Sequence, residues 1–413
     1  MSTDHGFILS SAHYQKVHQE IQGALEKSDL DAAIAISPEN IVYLSGIFVP
    51  THRSIPDRLY IVLFAKGGAS SLIACNIVER RVRPQSHIDD IRIYVEFQQS
   101  PMETLADLIK EKNLEKGKIG IELESLTAAY YQELLNLLPR TEFIDCSIFL
   151  EKLRMIKGEE EISLLKEIAV LTEKSIERAY ELSCPNDTIG SVKSNAISAI
   201  GKFGAEHINF CLFELMPSEP SAMEEQTAKG VPQNVKAEAP LIKEDLSGNF
   251  KGYKTGAPLA EGQLVKIDLS GNFKGYMSDL IRLAIVGKPQ KKVLEAYGTY
   301  MRIHREIMGT MRPGKRMCDI YNFCQQRLQE VGLIQRGPHI GHSIGTRHHE
   351  YPMISPAHEE PLVPKMVINL EPVAVVPGLE ACRIQLEDTI LITEDEPKLL
   401  STYANTNELY VIE

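Results

Sequence analysis

The sequence predicts two domains, an α/β domain followed by an α+β domain whose sheet is mostly antiparallel. Three observations carry this. The first third alternates amphipathic helical stretches with short apolar runs of strand length. A long stretch with apolar residues at helical spacing then separates it from the remainder of the chain. The last third holds two helical stretches framed by strand-like runs, the order of an α+β domain. A chain of 413 residues, 43% of them hydrophobic, can build a core in each domain.

In order along the chain, residues 14–27 read as an amphipathic helix, and DAAIAIS, LYIVLFA and KIGIEL as strands. Together they make an α/β domain over residues 1–155, roughly 150 residues and an ordinary domain size. LRMIKGEEEISLLKEIAVLTEKSIERAYEL follows as one long helix, with Ile162, Leu165, Ile168, Ala169, Ile176 and Ala179 on one face, and it opens the second domain, 156–413. CPNDT breaks that helix before another over about 189–203. Residues 216–244, MPSEPSAMEEQTAKGVPQNVKAEAPLIKE, carry four prolines and no period, the composition of an exposed, mobile insertion. The strand-like runs LVKIDLS and LIRLAIVG, helices over about 291–311 and 317–331, and the runs MVINLE, PVAVV and TILIT complete the second domain.

Charge and cysteine usage narrow the function classes. A formal charge of −12 without a long Lys/Arg run argues against a nucleic-acid partner, and the cluster Glu79, Arg80, Arg81, Arg83 reads as a solvated face. The seven cysteines are scattered and odd in number, with no CxxC pair, which suits a reducing compartment. The first residues, MSTDHGFILSSAHYQKV, lack the basic and apolar blocks of a signal peptide, and no apolar run approaches membrane length. The expectation is a soluble, cytoplasmic protein with no membrane partner.

The chemistry gathers in the second domain. DLSGNFKGY occurs twice, at 245–253 and at 268–276. Asp268 closes the strand-like run LVKIDLS, and Asp279 follows eleven residues later inside the next strand pattern. Two carboxylates facing one another across an antiparallel ladder joined by the GNFKG turn repel unless a cation lies between them. The plainer alternative is a turn-flanking Asp and an edge Asp. GHSIGTRHHEYP sets His342 between glycines and His349 and Glu350 seven and eight residues on, without the HExxH spacing of a zinc helix. MVINLEP ends an apolar run on Glu371, and RIQLEDTILIT holds Glu387; an acid embedded in an apolar strand is expensive to bury unpaired. Singly each residue has a structural reading; four carboxylates and a histidine, each at or within a strand of the same domain, are harder to dismiss together. Eleven residues after Asp245 stands Gly256, so only the second copy carries the aspartate pair. The first copy reads as a local duplication or a sequence-assembly error.

This set and its order resemble the creatinase/aminopeptidase P/methionine aminopeptidase family, the pita-bread metallopeptidases, over nearly the whole chain: a creatinase-type N-terminal domain, the RMIKGEEEI entry helix and a C-terminal pita-bread domain with a curved sheet. IDLSGNFKGYMSD, GHSIG, HHEYP, NLEP and QLED carry the resemblance. It implies two divalent ions, Mn first with Co, Fe or Zn as alternatives. Asp268 would hold one ion, His342 and Glu371 the other, and Asp279 and Glu387 both. Glu371 would accept a proton from the attacking water, and His349 would hydrogen-bond the substrate or the developing oxyanion, while Glu350 and Pro352 shape the loop. Xaa-Pro members often place an arginine two residues before the last glutamate; Arg383 stands four before Glu387, as a substrate contact or a surface ion pair. Family peptidases usually carry another histidine shortly before the first aspartate. Here that region is the first DLSGNFKGY with KTGAPLAEGQLV, where Phe250 or Lys251 falls near the place, and His207 is too far upstream and reads as part of a strand. Three functions are implied: an Xaa-Pro aminopeptidase or dipeptidase; a creatinase-like hydrolase or lyase acting on a non-peptide metabolite; or a non-catalytic binding module, against which the full ligand set speaks. Relatives of this layout imply a homodimer or homotetramer acting on a small peptide or small molecule.

Overall fold

The computed structural model describes residues 9–55, 58–216, 256–377 and 379–413. Nearly all of the proline-rich stretch and the whole first DLSGNFKGY copy lie outside them. The described chain forms two compact units, one of residues 1–164, 273–277 and 345–351, the other of 165–272, 278–344 and 352–413.

In the first unit, Ser10 caps the helix Ser11–Glu26 by accepting from His13 N, and Tyr14, Val17, Ile21 and Leu25 make its buried stripe. Strands β1 (Ala32–Ala35), β2 (Ile61–Ala65), β3 (Ser70–Cys75), β4 (Asp90–Tyr94), β5 (Lys118–Ile121) and β6 (Glu142–Asp145) form one sheet in the order β4-β3-β2-β1-β5-β6. β1–β5, β5–β6 and β3–β4 pair in parallel, β1–β2 and β2–β3 antiparallel. Alternate residues of β1 feed two cores, Ala33 and Ala35 on one side and Ala32 and Ile34 on the other. A sheet covered on both faces explains why its central strands read as unbroken apolar runs.

The single long helix expected over 153–182 is two helices, Ser147–Arg154 and Glu159–Glu181. The break has a local cause: Gly158 N donates to Glu161 Oε2 at 2.7 Å, and Glu159, Glu160 and Glu161 set three acids in the new helix's first turn, where the helix dipole favours them. Arg154 and Lys157, on either side of the break, both meet one carboxylate. Arg154 Nε lies 3.1 Å from Glu350 Oε1 and Lys157 Nζ 2.9 Å from Glu350 Oε2, with all three side chains at most 3% exposed. Thr346 N donates to the same carboxylate at 3.0 Å. Burial would push Glu350 up, but Lys157 and Arg154 hold it down at about 2. The 273–277 segment carries the tight turn Lys274–Gly275, both residues at positive φ, ahead of the two-residue strand β9 (Tyr276–Met277). A Cβ on Gly275 would sit 2.6 Å from Val42 Cγ1, so the glycine is required there. The turn is thus shorter than GNFKG, whose first three residues extend the preceding strand.

Among the described residues, the second unit is built on strands and the helices Glu159–Glu181, Ile189–Lys202, Lys291–Thr310 and Met317–Glu330, the first mostly within it. Strands β7 (His207–Met216), β8 (Leu264–Phe273), β10 (Leu280–Val286) and β19 (Tyr410–Ile412) run in the order β19-β10-β8-β7. β11 (Ile334–Arg336) pairs with β15 (Val373–Val376) and β15 with β16 (Leu379–Gln385). A third ladder aligns β12 (Gly341–Ser343), β14 (Val367–Leu370), β17 (Asp388–Leu391) and β18 (Lys398–Leu399); β13 (Glu350–Met353) begins in the first unit. Apart from the parallel β10–β19 pair, these ladders are antiparallel, as expected from the sequence. No described helix is long and apolar enough to cross a membrane.

Replacing Glu350 by Ala leaves two buried cations without their carboxylate. Removing one partner of a buried pair typically costs about 3–5 kcal/mol, so urea unfolding followed by far-UV circular dichroism should show a loss of that order, and a smaller one for Glu350→Gln. A loss below about 1 kcal/mol, the range of exposed pairs, would show that the cluster does not hold the segment.

Candidate metal centre

Five side chains of the second unit converge from positions in or beside five strands. Asp268 lies within β8, and Asp279 immediately precedes β10. In the β8–β10 register Asp268 faces Ile281, so Asp279, two residues earlier, is its diagonal neighbour rather than directly opposite. Diagonal side chains on one face remain within reach, which corrects the head-on pairing expected from the turn. His342 is the middle residue of β12, wholly buried, and Glu371 follows β14 where Glu371 N donates to Ile340 O at 2.8 Å. Gly341 permits this close approach: a Cβ there would come within 2.3 Å of Asn369 O. Leu370 pairs with Asp388, so Glu371 and Glu387 stand just where the β14–β17 ladder runs out.

The donor atoms fall into two groups, Asp268–Asp279–Glu387 and His342–Glu371–Glu387, each with atoms within 4.8 Å of one another. Glu387 belongs to both, and Asp279 and His342 also approach within 4.8 Å. His342 Nε2 lies 3.5 Å from Glu371 Oε1 and 3.4 Å from Glu387 Oε1. Its Nδ1 is 3.1 Å from the carbonyl of Ser343, which can only accept, so Nδ1 carries a proton and Nε2 is the nitrogen turned toward the carboxylates.

Neighbouring groups hold these residues in place. Asn369 Nδ2 donates to Glu387 Oε1 and to Asp279 O, both at 2.9 Å. Arg282 donates to Glu387 O at 2.5 Å and pairs with Glu173 and Asp388, all buried. From the helix Lys291–Thr310, Tyr300 Oη donates to Pro372 O at 2.7 Å and accepts from Leu386 N at 3.0 Å, joining the residues next to Glu371 and Glu387.

A model of the creatinase/prolidase N-terminal domain matches residues 18–156, and one of metallopeptidase family M24 matches residues 235–394, which include all five. Residues 235–394 belong to the M24 metallopeptidase family. An uncharacterized peptidase of Staphylococcus aureus is 26% identical to this M24 chain over 382 residues, 92% of this chain and 97% of the relative. Two solved structures share the M24 chain's fold. An Xaa-Pro dipeptidase from Bacillus anthracis superposes with a TM-score of 0.77 at 21% identity, covering 96% of this chain and 99% of that one. A prolidase from Pyrococcus horikoshii gives 0.70 at 22% identity, covering 94% and 99%. The expected creatinase-type and pita-bread layout is therefore the observed one, and the M24 match over residues 235–394 marks a metallopeptidase-type enzyme.

The M24 residues fit divalent metal on their own chemistry. Asp268 Oδ1, Asp279 Oδ1 and Glu371 Oε1 are buried with no hydrogen-bond donor, a cost that a cation removes. Four carboxylates and an imidazole suit a hard or borderline divalent ion. Burial, then the neighbouring carboxylates, chiefly Glu387, push Asp268 up to about 7 and Glu371 to about 8, and raise Asp279 well above the usual range. Burial also raises Glu387 to about 7 against the Asn369 hydrogen bond and Arg282.

Of the other residues singled out in the sequence, Arg383 lies on β16, 55% exposed, with Nε 3.7 Å from Glu214 Oε1. His349 is exposed and lies in the 345–351 segment of the first unit. The structure adds His339, half-buried, with Nδ1 3.4 Å from Glu371 Oε1 and its ring edge-on to His342. Its position three residues before His342 was the available signal.

These raised pKa values carry a sign. Carboxyls raised in the folded state stabilise it most below their unfolded values near 4 and lose that contribution as pH rises through 7–8. Between about pH 5 and pH 8, the Tm of metal-free wild type should fall relative to that of Glu387→Gln, and saturating Mn should remove the difference in slope, as scanning calorimetry would reveal. Parallel metal-free profiles for the two proteins would rule out this electrostatic account.

Proposed function

We propose that this chain is a metal-dependent Xaa-Pro aminopeptidase or dipeptidase, hydrolysing the amide bond before proline. The observation that supports it most is the membership of Glu387 in both ligand groups, the arrangement of two ions sharing a carboxylate. In this reading Asp268 would hold one ion, His342 and Glu371 the other, and Asp279 and Glu387 would contribute to both. Bound ions supply Lewis acidity at the scissile carbonyl and a water acidic enough to attack near neutral pH. The remaining work falls to the chain. Glu371 takes the proton of the attacking water at Oε1, the oxygen turned toward His342, and delivers it to the departing proline nitrogen. His349 is the proposed donor to the substrate carbonyl as charge gathers on its oxygen, a role that rests on the resemblance. Arg383 enters only as a rim contact, since its guanidinium faces Glu214. The names of the Bacillus and Pyrococcus structural neighbours agree with this substrate class. Mn is the proposed metal, with Co, Fe or Zn as alternatives. Seven free cysteines accord with a reducing compartment, proposed as the cytoplasm, and the proposed assembly is a homodimer or homotetramer.

A second reading, hydrolysis or lysis of a non-peptide metabolite on the same metals, is favoured by the lack of a histidine between residues 245 and 267. One assay separates the two. Protein loaded with Mn should release proline from an Xaa-Pro dipeptide or the first residue from an Xaa-Pro-Yaa tripeptide, and Asp279→Ala and Glu387→Ala should reduce both metal content and turnover to background. Roughly two equivalents of bound metal with no turnover of any Xaa-Pro peptide would discard the peptidase and leave the second reading. Full metal content in Asp279→Ala would refute the ligand assignment itself.

A further inference from the structure

Glu371 is tethered from the side away from His342. Its Oε2 accepts from Gln385 Nε2 at 3.1 Å, and Gln385 Oε1 accepts from Lys266 Nζ at 3.0 Å. Lys266 Nζ in turn lies 2.7 Å from Glu214 Oε2. A lysine ammonium can only donate, so it admits one orientation of the amide, with the oxygen toward Lys266 and the NH2 group toward Glu371. With Oε2 tied, Oε1 is the oxygen turned to His342 Nε2 at 3.5 Å and His339 Nδ1 at 3.4 Å. The support shares strands with the ligands. Lys266 precedes Asp268 by two residues on β8, and so projects from the same face, and Gln385, 8% exposed, ends β16 two residues before Glu387.

We propose that Gln385, its amide oriented by Lys266, is a positioning residue for Glu371, fixing which carboxylate oxygen meets the metal and the attacking water. The proposal rests on the metallopeptidase reading above, and its test has a readout that does not depend on turnover. Gln385→Met keeps the side-chain length while removing the amide; Lys266→Met keeps the apolar stem while removing the ammonium; Lys266→Arg restores a cationic donor. Each is checked for folding by circular dichroism. Metal-free protein is then titrated with Mn by calorimetry, and kcat and KM are measured on an Xaa-Pro substrate.

The two Met variants should each weaken the weaker Mn-binding step by about 10- to 100-fold and lower kcat while KM stays within about two-fold. The double variant should lose no more than either single one, because the two residues act as one device, and Lys266→Arg should recover most of the loss. A wild-type Mn isotherm in Gln385→Met, or losses that multiply in the double variant, would overturn the proposal. Should Gln385→Met fail to fold, Lys266→Met decides by the same readings. A wild type that turns over no Xaa-Pro peptide would defeat the peptidase reading, while the Mn isotherms would still decide this one.

Discussion

Four carboxylates brought into one buried place repel one another, and most of the second unit's local architecture answers that repulsion. Asp268, Asp279, Glu371 and Glu387 are removed from water, and Glu387 raises the proton affinity of the other three. An apolar sheet has no use for such a group, so Asp279, Glu371 and Glu387 sit just beyond strand ends, and only Asp268 of the four lies within its strand. The cost is removed only by positive charge. Protons supply it when metal is absent, and divalent ions compete with them for the same oxygens.

The neutral and cationic groups around the cluster keep the acids from relaxing apart. Asn369 spans Glu387 and the Asp279 carbonyl, Arg282 ties the Glu387 backbone to Glu173 and Asp388, and Tyr300 fastens the chain next to Glu371 and Glu387. Three kinds of donor thus converge from a strand, a second strand and a helix. Rigidity matters because a carboxylate displaced by an ångström changes both what it can coordinate and what proton it can take.

Much of this was legible in the residues. Acids embedded in apolar runs and a histidine between glycines announce a site because burial makes them expensive, and the five expected ligands do converge. The strand and helix positions followed from periodicity, which is strong where one face is buried. What escaped the sequence depends on register or on single bonds. The diagonal offset of Asp268 and Asp279 comes from a two-residue turn, and the helix break comes from one N-terminal capping interaction at Gly158 and Glu161. His339 and the Lys266–Gln385 pair carry no motif, since their partners are set by three-dimensional neighbours. Arg383, read as a substrate contact or a surface ion pair, has Glu214 as a counter-charge close by.

The Glu350 cluster bears on how such a chain can be cut or recombined. Residues 345–351 belong to the unit whose cations, Arg154 and Lys157, neutralise Glu350, although the rest of the chain from 278 to 413 folds with the other unit. A single crossover near residue 165 would bring an incoming N-terminal half to a loop whose buried acid awaits two particular cations. Exchange of halves between relatives is therefore tolerated only where the donor carries that pair, and the boundary between the units is a matching condition as well as a place in the sequence.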